Sequence, residues 1–86
     1  MATDTNHLYR TSDTALASYL ITQVFILRAI DYSLPRFEYG FPLSPEIQEQ
    51  ATKYVAGQAL TEPSSFNRVN RKLLRIISRQ QQWEDD

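Results

Sequence analysis

A chain of 86 residues is long enough for one small domain, and its hydrophobic content of 42% and charged content of 22% are typical of a globular protein rather than a disordered one. It contains no cysteine, which excludes disulfides and thiolate metal sites, and its net charge is only −1. The longest uncharged stretch before the C-terminal third, residues 14–27, is shorter than the roughly 20 residues that a membrane span needs. The polar N-terminus is unlike a signal peptide. The composition therefore favours a cytoplasmic protein without a membrane segment.

The N-terminal third predicts a loose terminus, a short strand and a helix. Residues 1–7 are polar, and Leu8 to Arg10 are expected to form the strand. A helix start follows at residues 11–13, because short oxygen-bearing side chains accept hydrogen bonds from the free N–H groups of a first turn. Apolar residues then recur at helical spacing, which predicts a helix over residues 12–23 with a buried stripe of Leu16, Tyr19, Leu20 and Val24.

The next two apolar segments predict a β-hairpin with an aromatic inner face. Residues 25–32 are rich in β-branched and large side chains, but their imperfect alternation leaves open two partly covered faces or a bulge near Ala29. Residues 36–41 alternate more regularly, so that Phe37, Tyr39 and Phe41 point the same way. We expect these rings in the core, with a stacking platform for nucleic-acid bases as the alternative.

Two further helices complete the predicted domain. Ser44 and Pro45 begin the first, and Gly57 ends it, because glycine adopts the left-handed conformation cheaply. Its predicted buried stripe is Ile47, Ala51, Tyr54 and Val55. Pro63 opens an amphipathic helix that runs to about residue 80, with a core-facing side of Phe66, Val69, Asn70, Leu73, Ile76 and Ile77. The order β-α-β-β-α-α predicts a single α+β domain over residues 8–80, a small antiparallel sheet packed against helices, followed by an acidic tail at residues 81–86.

The order and spacing of several short motifs resemble a widespread family of small proteins of unknown function from bacteria, phages and mobile elements. The resemblance covers residues 8–79 and rests on Tyr9 with the Thr-Ser-Asp trio at 11–13, Leu16-Ala17, the aromatic hairpin, Tyr54-x-x-Gly57 and the basic last helix. Val24 departs from the family, which usually has glycine after the first helix. The resemblance implies the α+β fold and a prokaryotic or phage setting, but no catalytic residues.

The distribution of charge gives the strongest functional signal. Residues 1–62 and residues 81–86 each have a net charge of −3, whereas residues 63–80 contain no acid and five cations at helical spacing: Arg68, Arg71, Lys72, Arg75 and Arg79. Such a stripe predicts a nucleic-acid-binding surface that neutralises phosphates, with Asn67 and Asn70 as hydrogen-bond donors. The alternative is an ordinary solvated helix face.

No residue pattern indicates catalysis. The only histidine, His7, lies in the predicted loose terminus, and Glu46 and Glu49 lie near a helix N-terminus, where acids stabilise the helix dipole. The sequence has neither a glycine-rich phosphate loop nor a metal-ligand cluster. It therefore predicts a non-enzymatic binding protein that uses no cofactor and no metal.

Trp83 and the predicted sheet edges support alternative functions. Trp83, followed by three acids, is expected either to anchor in a partner protein or to fold back onto its own helix. With the near-neutral total charge, this supports an adaptor or inhibitor that docks on a larger complex. A third hypothesis is a protein that sequesters an anionic nucleotide at a dimer seam. The thin core and open sheet edges predict a homodimer in each case.

Overall fold

The computed structural model describes residues 8–33 and 35–83, and it shows the α+β domain predicted from the sequence. The elements in chain order are β1 (Leu8–Thr11), α1 (Thr14–Thr22), β2 (Ala29–Asp31), β3 (Glu38–Pro42), α2 (Pro45–Val55) and α3 (Pro63–Ser78). This is the predicted order β-α-β-β-α-α. The predicted loose terminus at residues 1–7, which includes His7, and the acids at 84–86 lie outside the described residues.

The three strands form an antiparallel sheet in which β3 lies between β1 and β2. Tyr39 of β3 pairs with Ile30 of β2 and with Thr11 of β1. Tyr39 and Phe41 are fully buried, which confirms the aromatic inner face and excludes these two rings as a stacking platform. The opposite face is built from the alternate residues of each strand, and there Arg10 forms ion pairs with Asp31 (3.8 Å) and Glu38 (3.6 Å).

The strand predicted over residues 25–32 is wrong in its first half, because β2 begins only at Ala29. The preceding helix explains the difference. Val24 N–H donates to the Ile21 carbonyl (3.0 Å) and Phe25 N–H donates to the Leu20 carbonyl (3.1 Å), so these residues complete the end of α1. The imperfect alternation therefore marks a connection between α1 and β2.

Helix α1 is the centre of the packing, since it contacts α3, α2 and β1. Its start is tied to the sheet by a 2.8 Å hydrogen bond between Thr14 Oγ1 and the Tyr39 hydroxyl. Its small residues Ala17 and Ser18 are fully buried. Ser18 Oγ lies 3.1 Å from Asn70 Oδ1 of α3, so Asn70 is a polar contact within the helix interface. Asn70 is therefore partly buried on the core-facing side of α3, as predicted, with its Oδ1 occupied by Ser18.

Two predicted core residues are wrong, because Val24 is 86% exposed and Val55 is 79% exposed. Both lie at helix ends, so no further helical turn continues the packed side of the helix and covers their side chains. Val24 follows the last turn of α1, and Val55 is the last residue of α2. The other members of the two predicted stripes are buried or partly buried: Leu16, Tyr19, Leu20, Ile47, Ala51 and Tyr54.

Candidate nucleic-acid interface

Helix α3 is fixed at both ends by its own sequence. The Glu62 carboxylate accepts a 2.7 Å hydrogen bond from Ser65 N–H, and Pro63 occupies the first turn, where no N–H is needed. The hydrogen bonds from Ser65 and Ser64 hold the pKa of the Glu62 carboxyl below its usual value. At the other end Gln80 has a left-handed φ of 53°, and Gln81 N–H donates to the Ile76 carbonyl (3.0 Å). The helix therefore presents a fixed register of side chains.

The two faces of α3 have opposite chemistry. Val69, Leu73 and Ile76 are buried on the side that packs against α1. Because a helix turns once in 3.6 residues, Arg68, Arg71 and Arg75 point away from this side, whereas Lys72 and Arg79, each three residues after a buried position, lie at its margin. The four arginines are exposed, at residues 68, 71, 75 and 79, and Lys72 is partly buried. We call these five residues the cationic face. Arg68 and Arg79 lie about 16 Å apart along the helix axis, at 1.5 Å per residue.

The four arginines of the cationic face have no acidic partner within the described ranges. Both ion pairs between described residues belong to Arg10, on the far face of the sheet. Two of the described acids are engaged elsewhere, since Glu62 caps α3 itself and Asp13 caps α1. The cationic face is thus a concentrated positive charge on a domain of almost zero net charge.

Trp83 lies against the domain that precedes it. Its ring is partly buried beside the connection between α1 and β2, and Lys72 Nζ lies 4.3 Å from the ring centroid, a cation–π contact. This is the fold-back arrangement that the sequence left open beside partner binding. Within the described residues, the Lys72 ammonium therefore has an aromatic neighbour, whereas no such contact is found for the four arginines.

The residues just before Trp83 are also held in place. The Gln82 side-chain amide forms two hydrogen bonds with the backbone of Ile30, accepting from its N–H (2.7 Å) and donating to its carbonyl (2.8 Å). The Tyr32 hydroxyl donates to the Gln81 carbonyl (2.5 Å). The residues from Gln81 to Trp83 thus contact the domain that precedes them. The periodicity of the sequence cannot predict a glutamine side chain that hydrogen-bonds to the backbone of an edge strand.

A second surface lies at the other edge of the sheet. β1 is an edge strand, and between it and α2 runs a groove of about 540 Å³ with no charged residue among those that line it: Tyr9, Gln48, Ala51, Thr52, Val55 and Ala56. The edge of β2, in contrast, is covered by Gln82. Burial, with a smaller contribution from the Asp13 carboxylate, raises the pKa of the Tyr9 hydroxyl. The groove therefore combines a strand at the edge of the sheet with apolar surface.

Two other kinds of feature, a metal-binding cluster and a membrane-spanning helix, are absent from the part of the chain that the structure describes. No group of three or more His, Cys, Asp or Glu side chains within residues 8–33 and 35–83 is placed to hold a metal ion. None of the described helices combines the length and apolar character needed to cross a bilayer. Comparisons with protein-family models, with curated proteins and with solved structures give no match for this chain, so the resemblance to a bacterial and phage family stays a prediction.

Proposed function

We propose that this chain is a small non-enzymatic binding protein that contacts nucleic acid through the cationic face of α3. The observation that carries the proposal is the set of four exposed arginines, Arg68, Arg71, Arg75 and Arg79, which share one side of a rigid helix without acidic partners among the described residues. A guanidinium donates two parallel hydrogen bonds to a phosphate and keeps its charge at every physiological pH. Binding would draw its free energy from counterions released by the nucleic acid.

The surroundings of the cationic face favour the duplex backbone over a stacked single strand. Proteins that bind single strands place bases on exposed aromatic rings. Every aromatic residue in the described ranges is buried or partly buried, and the Trp83 ring is already in contact with the Lys72 ammonium. A convex helix with arginines spread over about 16 Å can instead follow successive phosphates.

The test is a salt titration of binding to a fluorescent duplex of about 20 base pairs, with two matched triple variants. Arg68→Gln, Lys72→Gln and Arg75→Gln together remove three charges from the cationic face. Arg28→Gln, Arg36→Gln and Lys53→Gln remove three exposed charges elsewhere. We expect the first variant to weaken duplex binding at least tenfold at about 50 mM salt. It should also reduce the slope of log K against log salt by up to about 3. The second variant should change the affinity and the slope much less.

Two results would contradict this function. If both triple variants weaken binding equally, the total charge of the protein determines binding and the cationic face is not a defined site. If the wild type does not bind the duplex at about 50 mM salt, the protein has no nucleic-acid-binding function. A mononucleotide that raises the melting temperature as much as the duplex does would favour the nucleotide-sequestering hypothesis instead.

The groove beside β1 favours a second candidate function, a protein-interaction module. Its position beside the edge strand β1 and its uncharged lining suit an extended segment that adds a fourth strand, either from another protein or from a second copy of this chain. Val55→Glu separates the two functions, because it places a charge in the groove and leaves α3 untouched. Duplex binding should survive this change, whereas binding at the β1 edge should be lost.

A further inference from the structure

The side chains of α3 that point most directly away from the core form a row of mixed chemistry. At about 100° per residue, the direction opposite the buried side of α3 is occupied by Asn67, Arg71 and Leu74, and we call these three residues the outer row. All three are exposed, and Leu74 is 52% exposed although it is a large apolar residue. Ser78 continues the row, but its hydroxyl donates to the Arg75 carbonyl within the helix (3.0 Å). The outer row thus presents an amide, a guanidinium and an apolar side chain.

The other three arginines of the cationic face lie on one flank of the outer row. Arg68, Arg75 and Arg79 are turned from it by roughly 90° around the helix axis. The opposite flank, at positions 66, 70 and 77, is partly buried and contains no cation. Hydrogen bonds to phosphate come from cations, amides and hydroxyls, so phosphate contacts do not account for an exposed leucine among the arginines. The outer row therefore points to a ligand that offers apolar surface as well as hydrogen-bonding groups.

The major groove of B-form DNA presents these two kinds of surface to a helix. The groove is about 12 Å wide and admits a helix of about 10–12 Å diameter. Side chains that point into the groove meet base edges, whereas those on a flank meet a phosphate backbone. Asparagine pairs with adenine, arginine with guanine, and an apolar side chain packs on the thymine methyl group. From Asn67 to Leu74 the outer row extends about 10 Å along the helix axis, which corresponds to about three base pairs.

We propose that the outer row contacts base edges in the major groove of B-form DNA, while Arg68, Arg75 and Arg79 contact the phosphates of one strand. The inference rests on the proposed function and adds that the site distinguishes DNA sequences. It also specifies the kind of duplex, because the major groove of A-form RNA is too deep and narrow for side chains to reach the bases. An RNA duplex should therefore bind no more tightly than a DNA duplex of unrelated sequence.

The experiment selects bound duplexes of about 20 base pairs from a library with a random centre, and then measures the affinity of the enriched sequence and of an unrelated one. We expect the wild type to bind the enriched duplex at least tenfold more tightly at about 150 mM salt. Arg71→Lys keeps the charge but cannot form the two parallel hydrogen bonds to guanine, so it should lose most of this ratio, mainly through weaker binding of the enriched duplex. The matched control is Arg36→Lys, the same change at an exposed arginine outside α3, which should keep the ratio.

The outcomes separate this inference from the proposed function. Salt-dependent duplex binding without any enriched sequence would overturn the contact with bases and leave the phosphate contacts standing. Equal preference in Arg71→Lys and the wild type would overturn the assignment to the outer row, and equal binding of an RNA duplex and the enriched DNA would overturn the major groove as the site. Absence of duplex binding by the wild type at about 50 mM salt would overturn both the inference and the proposed function.

Discussion

At the scale of single residues, the end of α1 contains a valine in a conformation that suits glycine. The three helices end alike, with a left-handed residue at Val24 (φ 64°), Gly57 (φ 76°) and Gln80 (φ 53°). Gly57 meets this requirement at no steric cost, as its sequence position predicted. A β-branched residue is the least tolerant of positive φ, and Val24 is 86% exposed, so burial of its side chain offsets little of the strain.

Val24→Gly should therefore stabilise the protein. Relief of the left-handed strain outweighs the added flexibility of glycine in the unfolded chain, and we expect a gain of about 1 kcal/mol, or roughly 4–8 °C in melting temperature. The control is Val55→Gly, at an equally exposed valine with right-handed helical backbone, which should lower stability. Thermal melts followed by circular dichroism measure both changes. A melting temperature for Val24→Gly at or below that of the wild type would contradict the argument.

At the scale of elements, α3 depends on an ionised cap. The Glu62 carboxylate accepts from the backbone and side chain of Ser65, which lowers its pKa from the usual 4.5. A lowered pKa in the folded chain means that this carboxylate adds stability above about pH 4.5 and that the contribution is lost as the pH falls through the folded pKa. Proline at the next position removes one competing N–H donor, so the cap is directed at the first turn.

The difference in melting temperature between the wild type and Glu62→Gln should consequently be largest near pH 7. It should shrink as the pH falls below about 4.5 and the Glu62 carboxylate takes up a proton. Melts at several pH values measure it. Glu49→Gln, which removes an exposed acid that caps no helix, serves as the control and should give a small difference throughout. A Glu62→Gln difference that stays constant from about pH 7 to 3 would show that the charge of the cap is not what holds α3.

The elements also show where sequence reasoning succeeds and where it stops. Periodicity placed α3 and β3 correctly, because their burial repeats with the period of the element itself. The same reasoning failed for residues 25–28, since composition alone does not distinguish a strand from an apolar connection held by the end of α1. It also missed the contact between Gln82 and Ile30, which lie 52 residues apart along the chain. It placed Asn70 on the core-facing side of α3, but not its hydrogen bond with Ser18, which lies equally far away in sequence. Such pairings exist only once the elements have packed.

At the scale of the whole molecule, the two edges of the sheet differ in a way that predicts how copies of the chain meet. Gln82 covers the edge of β2, whereas β1 borders the uncharged groove that contains Val55. An antiparallel pairing of β1 with a second copy about Tyr9 places Arg10 opposite Leu8 of the other chain and avoids a contact between two arginines. Both sheets would then continue across one symmetric interface, on a side of the domain that leaves the cationic face open.

We therefore expect the wild type to reach the mass of a dimer as its concentration rises, measured by light scattering during size-exclusion chromatography. Val55→Glu should keep the chain monomeric, because two carboxylates would be buried without partners at the symmetric seam. Leu60→Glu is the matched control: Leu60 is also a highly exposed apolar residue, at 86%, but it lies outside the groove, so this variant should still dimerise. A monomer mass for the wild type at every concentration, or equal loss of dimer in both variants, would contradict pairing through β1.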